Sequence, residues 1–307
     1  MNVLSLFDGM SCGQIALAEL GVFPTNYFAS EVDKHAIKQA QLNFPDTKQL
    51  GSVTELDGFD LPRIDLLMGG SPCQSFSFAG NRVGMVTTDN VEITDLEHYM
   101  DLKRNGFRFE GQSYLFWEYV RILTEIRLMN PDVKFLLENV KMAKNWEKVI
   151  TGALGVEPIL INSSLVSAQN RKRLYWTNIE GVTVPEDKGI LLGDVLENEV
   201  PEKYYVSEIL CGEKKIQSKE RGRGEKAKCL TATVYKGPRN DGCTLVRDYK
   251  GQDVITDRLR RLTPTECARL QTVPKWYTWE CSDTQQYKMC GNGWTVEVIK
   301  HILTNLF

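Results

Sequence analysis

The sequence predicts an α/β fold, a doubly wound and mostly parallel sheet with a smaller second unit inserted before its last helices. Short apolar runs alternate with runs of helical period through the first third of the 307 residues. Such alternation with short links argues a parallel sheet covered on both faces. Composition then shifts after Gly181 towards glycine, proline and basic residues with no helix of any length, and helical spacing returns at Pro264.

Taken in order, Asn2–Leu6 is short and apolar, and Cys12–Leu20 places Ile15, Leu17, Ala18 and Leu20 at helical spacing. Tyr27–Ser30 reads as a second strand and Lys34–Asn43 as a second helix, stopped by Phe44-Pro45. Thr47–Val53 is expected to be a short third strand, and Ile64–Met68 a buried fourth. From Gly80 to Gln112 the stretch is polar and glycine-punctuated, so it reads as a long loop or lid with a short helix around Asp95–Lys103. Leu115, Tyr119, Ile122 and Ile126 make a core-facing stripe on a helix over Tyr114–Met129. Lys134–Leu137 is the next strand, with Glu138-Asn139 at its end, and Trp146–Leu154 the next helix. Pro158–Val166 and Leu174–Ile179 look like paired strands around a polar turn, Ser167–Arg173. Leu230–Tyr235 is β-like. Pro264–Leu270 and Val296–Leu306 are helical, the second with Val296, Ile299, Leu303 and Leu306 on one face. The resulting units are 1–180 completed by 263–307, and 181–262.

Composition narrows the class. Apolar residues make 42% and charged residues 25%, as in ordinary globular chains. No stretch approaches ~20 consecutive apolar residues, so no membrane span is expected. The N-terminus runs into a strand without a basic-then-apolar leader, so no secretory signal is expected. The eight cysteines form no C-x-x-C pair and the three histidines lie far apart, which argues against a metal site and for reduced thiols. Net charge is −3, yet Leu210–Lys275 holds sixteen Lys/Arg against eight Asp/Glu. A basic segment on an acidic body points to a partner with a phosphate backbone, or else to a solvated lysine-rich surface.

Four stretches carry candidate chemistry. Gly69-Gly-Ser-Pro-Cys-Gln-Ser75 follows the fourth strand. Its glycines permit a sharp turn, and Pro72 keeps Ser71 out of the helical region. Cys73 therefore sits at the tip of a stiff turn beyond a strand end, where a nucleophile is well placed; the bland reading is a packed turn thiol. Phe7-Asp-Gly-Met-Ser-Cys-Gly13 joins the first strand to the first helix, and Glu31 follows the second strand, where an acidic residue can take both hydroxyls of a ribose. Together these favour an adenosine-containing cofactor, with NAD still open. Glu138, at a strand end, can hold a ring nitrogen or act as a cap. Arg171 and Arg173, two residues apart, suit anion binding or polarising an oxygen, or form a solvated edge.

In order and wording these stretches resemble the DNA (cytosine-5)-methyltransferase family over nearly the whole chain. Ser5-Leu-Phe-Asp-Gly9 looks like the first cofactor motif and Glu31-Val-Asp33 like the second. Gly70-Ser-Pro-Cys-Gln74 looks like the nucleophile motif, followed by Leu115–Ile122. Glu138-Asn-Val140, Gln169–Arg173, Arg261–Leu270 and Gly291-Asn-Gly293 complete the order. The first motif is closer to the animal de novo branch than to typical bacterial enzymes. Ser52 stands where the third motif usually has an acidic residue, Gly293-Trp294 follow Asn292 where Ser-Val is usual, and the loop after Cys73 is longer than usual.

The resemblance implies a Rossmann-like methyltransferase using S-adenosylmethionine. Its catalytic residues would be Cys73, Glu138, Arg171 and Arg173. Its cofactor residues would be Phe7, Asp8, Gly9, Ser11, Cys12, Glu31, Val32, Ser52, Val53, Pro72, Asn292 and Trp294. Residues 181–262 would be a target-recognition domain on double-stranded DNA. It further implies a monomer that needs neither metal nor membrane, cytoplasmic in a bacterial or phage-type setting and nuclear in a eukaryotic one. An RNA cytosine methyltransferase of the same fold, a non-catalytic DNA-binding relative and transfer of another one-carbon group are the alternatives.

Overall fold

The structure is a computed structural model that describes residues 1–72, 91–109, 111–206, 218–239, 242–250 and 253–307. Cys73, Cys211, Lys214, Lys215 and residues 80–90 and 110 of the expected lid lie outside them. Seven strands form the main sheet: β1 (Asn2–Leu6), β2 (Asn26–Ser30), β3 (Lys48–Gln49), β4 (Leu66–Gly69), β5 (Lys134–Val140), β6 (Ile159–Asn162) and β7 (Lys172–Thr177). Their order is β3-β2-β1-β4-β5-β7-β6. The first five are parallel, while β7 runs antiparallel to both β5 and β6. The expected α/β fold with a mostly parallel sheet is therefore observed.

The period of two along each strand divides the core between the two faces. Leu4, Leu6, Leu67, Phe135 and Leu137 point to one side, where they meet α4 (Leu115–Met129) and α5 (Lys144–Leu154). Val3, Leu66, Met68 and Leu136 point to the other, against α1 (Cys12–Glu19) and the last helix, Val296–Leu303. α2 (Lys34–Asn43) is capped by the Asp33 side chain and stops at Phe44 before Pro45. Gly69 is required where β4 passes α4, because a Cβ there would lie 2.8 Å from the Tyr119 ring.

Several sequence expectations are corrected. The third strand shrinks to Lys48–Gln49, since Gly51 turns the chain at φ +75°. Glu138 and Arg173 lie within β5 and β7, not in the turns beside them. The described part of the Gly80–Gln112 stretch is docked rather than loose: α3 (Leu96–Arg104) buries Tyr99, and Phe109 stacks between Tyr99 and Tyr114. Polar composition concealed these widely spaced aromatics. Glu118, fully buried on α4, accepts the Tyr99 hydroxyl and pairs with Lys103 and Arg121.

After α6 (Leu192–Val195), the chain makes a hairpin of β8 (Leu245–Lys250) and β9 (Asp253–Arg261). Leu230–Tyr235 is not a strand. Val234–Arg239 is a 3-10 segment, and Leu230 and Val234, four apart, are both buried in one cluster. That cluster is shared: Leu192, Val195, Tyr204, Leu230 and Val234 pack with Cys267 and Leu270 of α7 (Pro264–Leu270) and Tyr287 and Cys290 of α8 (Asp283–Asn292). α9 is the closing helix, Val296–Leu303. The α8 helix was unread in the sequence, although Ser282 with Gln285 three residues on is a capping pattern, and Ser282 accepts from Gln285 N–H.

Candidate active site

The site grows from strand ends. At the end of β1 the chain turns through Phe7, Gly9 and Ser11, all left-handed at φ 59°, 58° and 66°. Two of the three are not glycine, and strain of this kind clusters at functional sites. The turn is braced by Glu31, beyond β2. Its Oε2 accepts from Gly9 N–H (2.8 Å), and its Oε1 accepts from the N–H groups of Val32 (2.7 Å) and Asp33 (2.9 Å). Tyr277 holds the turn from below, donating to the Met10 carbonyl at 2.9 Å.

Asp8 is buried inside this turn. Tyr27 Oη donates to its Oδ1 at 2.9 Å, while Oδ2 has no hydrogen-bond partner among the described residues. Burial pushes the carboxyl up to about 6, against the pull of the Ser5, Ser11 and Tyr27 hydroxyls. Val32, on the same cavity, is 72% exposed.

β4 and β5 deliver the second half. Gly70, Ser71 and Pro72 leave β4, and Asn139 Nδ2 on β5 donates to Ser71 Oγ at 3.1 Å, holding the turn that leads to Cys73. Glu138, 8% exposed, is fixed by two donors: Arg173 Nε lies 2.8 Å from Oε1, and Trp294 Nε1 lies 3.1 Å from Oε2. Arg171 is also buried, but its guanidinium donates to backbone carbonyls of Leu230 (2.9 Å), Gly291 (3.2 Å) and Gly293 (2.9 Å). It ties the Leu230 segment to the end of α8.

One cavity of about 370 Å³ joins these parts. Phe7, Asp8, Gly9, Cys12, Glu31, Val32, Ser52, Val53, Pro72, Asn292 and Trp294 line it, as do Glu138, Arg171 and Arg173. Ser11 does not; it is buried behind the wall with its hydroxyl towards Gln14. Sequence reasoning missed Gln285 and Lys288 of α8, which also line the cavity. It missed Cys229 as well, whose Sγ lies 3.5 Å from Arg171 Nη1 and 3.8 Å from Arg173 Nη2. Burial alone would raise that thiol, but Arg171 and then Arg173 bring it below the ordinary thiol range.

The model of the C-5 cytosine-specific DNA methylases matches residues 1–307. The chain belongs to that family. This methylase is 31% identical to the Type II methyltransferase M1.ScrFI of Lactococcus lactis subsp. cremoris, covering 90% of this chain and 70% of the relative. It is 29% identical to the Type II methyltransferase M.NlaX of Neisseria lactamica, over 98% and 94% of the two chains. Among solved structures the methylase superposes on the Entamoeba histolytica methyltransferase EhMeth with a TM-score of 0.76 at 17% identity, covering 100% of this chain and 98% of that one. A Spodoptera frugiperda DNMT2 mutant gives 0.73 at 20%, over 100% and 99%. These two likenesses concern the fold. The methylase is thus an enzyme acting on cytosine C5 in DNA. Among its described residues no helix is long and apolar enough to cross a membrane, and no group of three His, Cys, Asp or Glu side chains could hold a metal.

Proposed function

We propose that the chain transfers a methyl group from S-adenosylmethionine to C5 of a cytosine flipped out of double-stranded DNA, through a covalent adduct on Cys73. The observation that carries the reading is the placement of Glu138. It is clamped by Arg173 and Trp294 on the wall of the same cavity that holds the Gly70–Pro72 turn leading to Cys73.

The cofactor fits the residues present. Glu31 offers acceptors for ribose hydroxyls, Phe7 and the exposed Val32 an apolar seat for the adenine, and the unpartnered Asp8 Oδ2 a negative charge for a cation. When bound, S-adenosylmethionine supplies a methyl group on a sulfonium. Ser52, Val53, Pro72 and Asn292 would complete the seat, with Ser11 shaping the turn from behind.

Cytosine C5 is a poor nucleophile. The Cys73 thiolate would add to C6, forming the S–C6 bond and moving electron density to C5. Glu138 would bind ring N3 and the exocyclic amine and stabilise charge that develops during the attack. Arg173 would keep that carboxylate oriented and face the base carbonyl or an adjacent phosphate. Arg171, with its donors on three carbonyls, acts by holding the cavity wall. After methylation a base removes the C5 proton, the S–C6 bond breaks, and the thiolate departs. C6 is hidden in the duplex stack, so the base must be flipped into the cavity. Residues 181–262 would contact the phosphates and read the bases.

The test is mechanism-based trapping. Duplex carrying 5-fluorocytosine at the target position blocks the last proton loss, because fluorine cannot depart as a cation. Wild-type protein is expected to form a DNA adduct that survives denaturing electrophoresis and requires S-adenosylmethionine. Cys73→Ser should abolish it. An adduct mapped to another cysteine, or 5-methylcytosine formed without any adduct, rejects the mechanism.

A further inference from the structure

We infer that Trp294 is a positioning residue for the Glu138 carboxylate, as well as part of the wall that faces the cofactor. Trp294 is 8% exposed, and its indole N–H donates to Glu138 Oε2 at 3.1 Å. Arg173 Nε occupies the other oxygen at 2.8 Å. With one fixed donor on each oxygen, the carboxylate plane cannot rotate about its terminal bond.

The indole is itself held. The Gly293 carbonyl just before it accepts from Arg171 Nη2 and from Gln271 Nε2, both at 2.9 Å. Just after it, the buried Thr295 hydroxyl donates to Gln271 Oε1 at 3.0 Å. A second, independent observation places the pair on the nucleophile turn. A Cβ on Gly70 would lie 2.8 Å from Trp294 Nε1 and 3.2 Å from Glu138 Oε2. The glycine that begins the turn to Cys73 is therefore packed directly beneath the indole–carboxylate hydrogen bond. Trp294 also shares the cavity with Phe7, Asp8 and Glu31. One side chain thus touches the cofactor seat, the base-binding carboxylate and the nucleophile turn.

The role assigned to Glu138 rests on the cytosine-methyltransferase reading, whereas the bond does not, and the experiment separates them. In the whole protein with isotope-labelled tryptophan, the Trp294 indole resonance is assigned by its loss in Trp294→Phe. Glu138→Ala is expected to shift that resonance and to speed its hydrogen exchange by about tenfold or more, as the loss of a bond to a charged acceptor requires. In single-turnover methyl transfer to duplex DNA, Trp294→Phe, which keeps an aromatic ring on the cofactor wall, should slow the chemical step about tenfold while leaving the half-saturating S-adenosylmethionine concentration within a few-fold. Added to Glu138→Gln, it should cost little more, because both act on one hydrogen-bonded unit. An indole N–H indifferent to Glu138→Ala, or losses that multiply in the double variant, would overturn the inference. A wild-type protein that makes no 5-methylcytosine would reject the proposed function alone, and the exchange measurement would still decide the bond.

Discussion

Asp8 and Cys229 show opposite outcomes of placing a titratable group in one small region. Asp8 has lost water without gaining a cation, so its carboxyl rises to about 6 from an ordinary 3.8. The folded protein then holds a proton that the unfolded chain releases, and stability falls as pH climbs from about 4 to 6. Asp8→Asn is expected to stabilise the unliganded protein at neutral pH by roughly 2–3 kcal/mol, with the gain vanishing below about pH 4. Thermal unfolding of both proteins across that range checks it. Cys229 lies against two guanidiniums and is drawn down, whereas burial pushes Cys12 up to about 12 and raises Cys267 and Cys290 well above the thiol range. Brief alkylation at neutral pH should therefore modify Cys229 before those three, because the thiolate is the reacting form. Peptide mapping that found Cys12 labelled first would contradict this electrostatic account.

Among elements, α7 shows how the inserted hairpin is fastened. Thr263 and Glu266 form a capping box at its first turn. The same Glu266, fully buried, also binds Arg260 of β9 through two bonds of 2.9 Å, while Asp248 of β8 takes Arg260 Nε at 3.0 Å. Glu266→Ala removes a cap and leaves a buried guanidinium short of charge. Breaking such a pair costs about 3–5 kcal/mol. Denaturant unfolding is expected to show a loss of that order, and a change below about 1 kcal/mol would mean that Asp248 and water suffice. Gly291 marks the neighbouring contact: a Cβ there would lie 2.2 Å from the Thr231 backbone, so α8 and the inserted unit touch main chain to main chain.

At the scale of the whole molecule, part of the basic excess between Leu210 and Lys275 is used inside the fold. Lys226 donates to the carbonyls of Ser164 (2.7 Å) and Ser167 (3.2 Å), Arg247 pairs with Glu220, and Arg261 and Arg269 donate to the carbonyls of Tyr235 and Val195. Lys226, Arg261 and Arg269 thus satisfy carbonyls that no ladder reaches. Lys236 and Lys172, by contrast, are exposed. We expect Lys236→Gln and Lys172→Gln each to flatten the dependence of log K on log salt for duplex DNA by just under one unit. Lys226→Gln should lower stability and leave the slope alone. Filter-binding titrations over a salt series check both.

Local rules were enough for the first two strands and several helices, because strand alternation, helical stripes, caps and prolines act over a few residues. The placement of β1, β2, α2 and α4 follows from them to within a residue or so. Many of the residues forming the cavity were also legible, since Glu31, Glu138 and the glycine turns stand at or near strand ends, where an α/β sheet puts its ligands. The sequence could not show which donor meets which acceptor across long separations. That Trp294 reaches Glu138, that Arg171 faces inward to carbonyls, and that Cys229 lies between two arginines depend on how α8, β7 and the inserted unit pack. An isolated charge reads the same in sequence whether it meets solvent or a buried carbonyl, and only tertiary burial distinguishes the two.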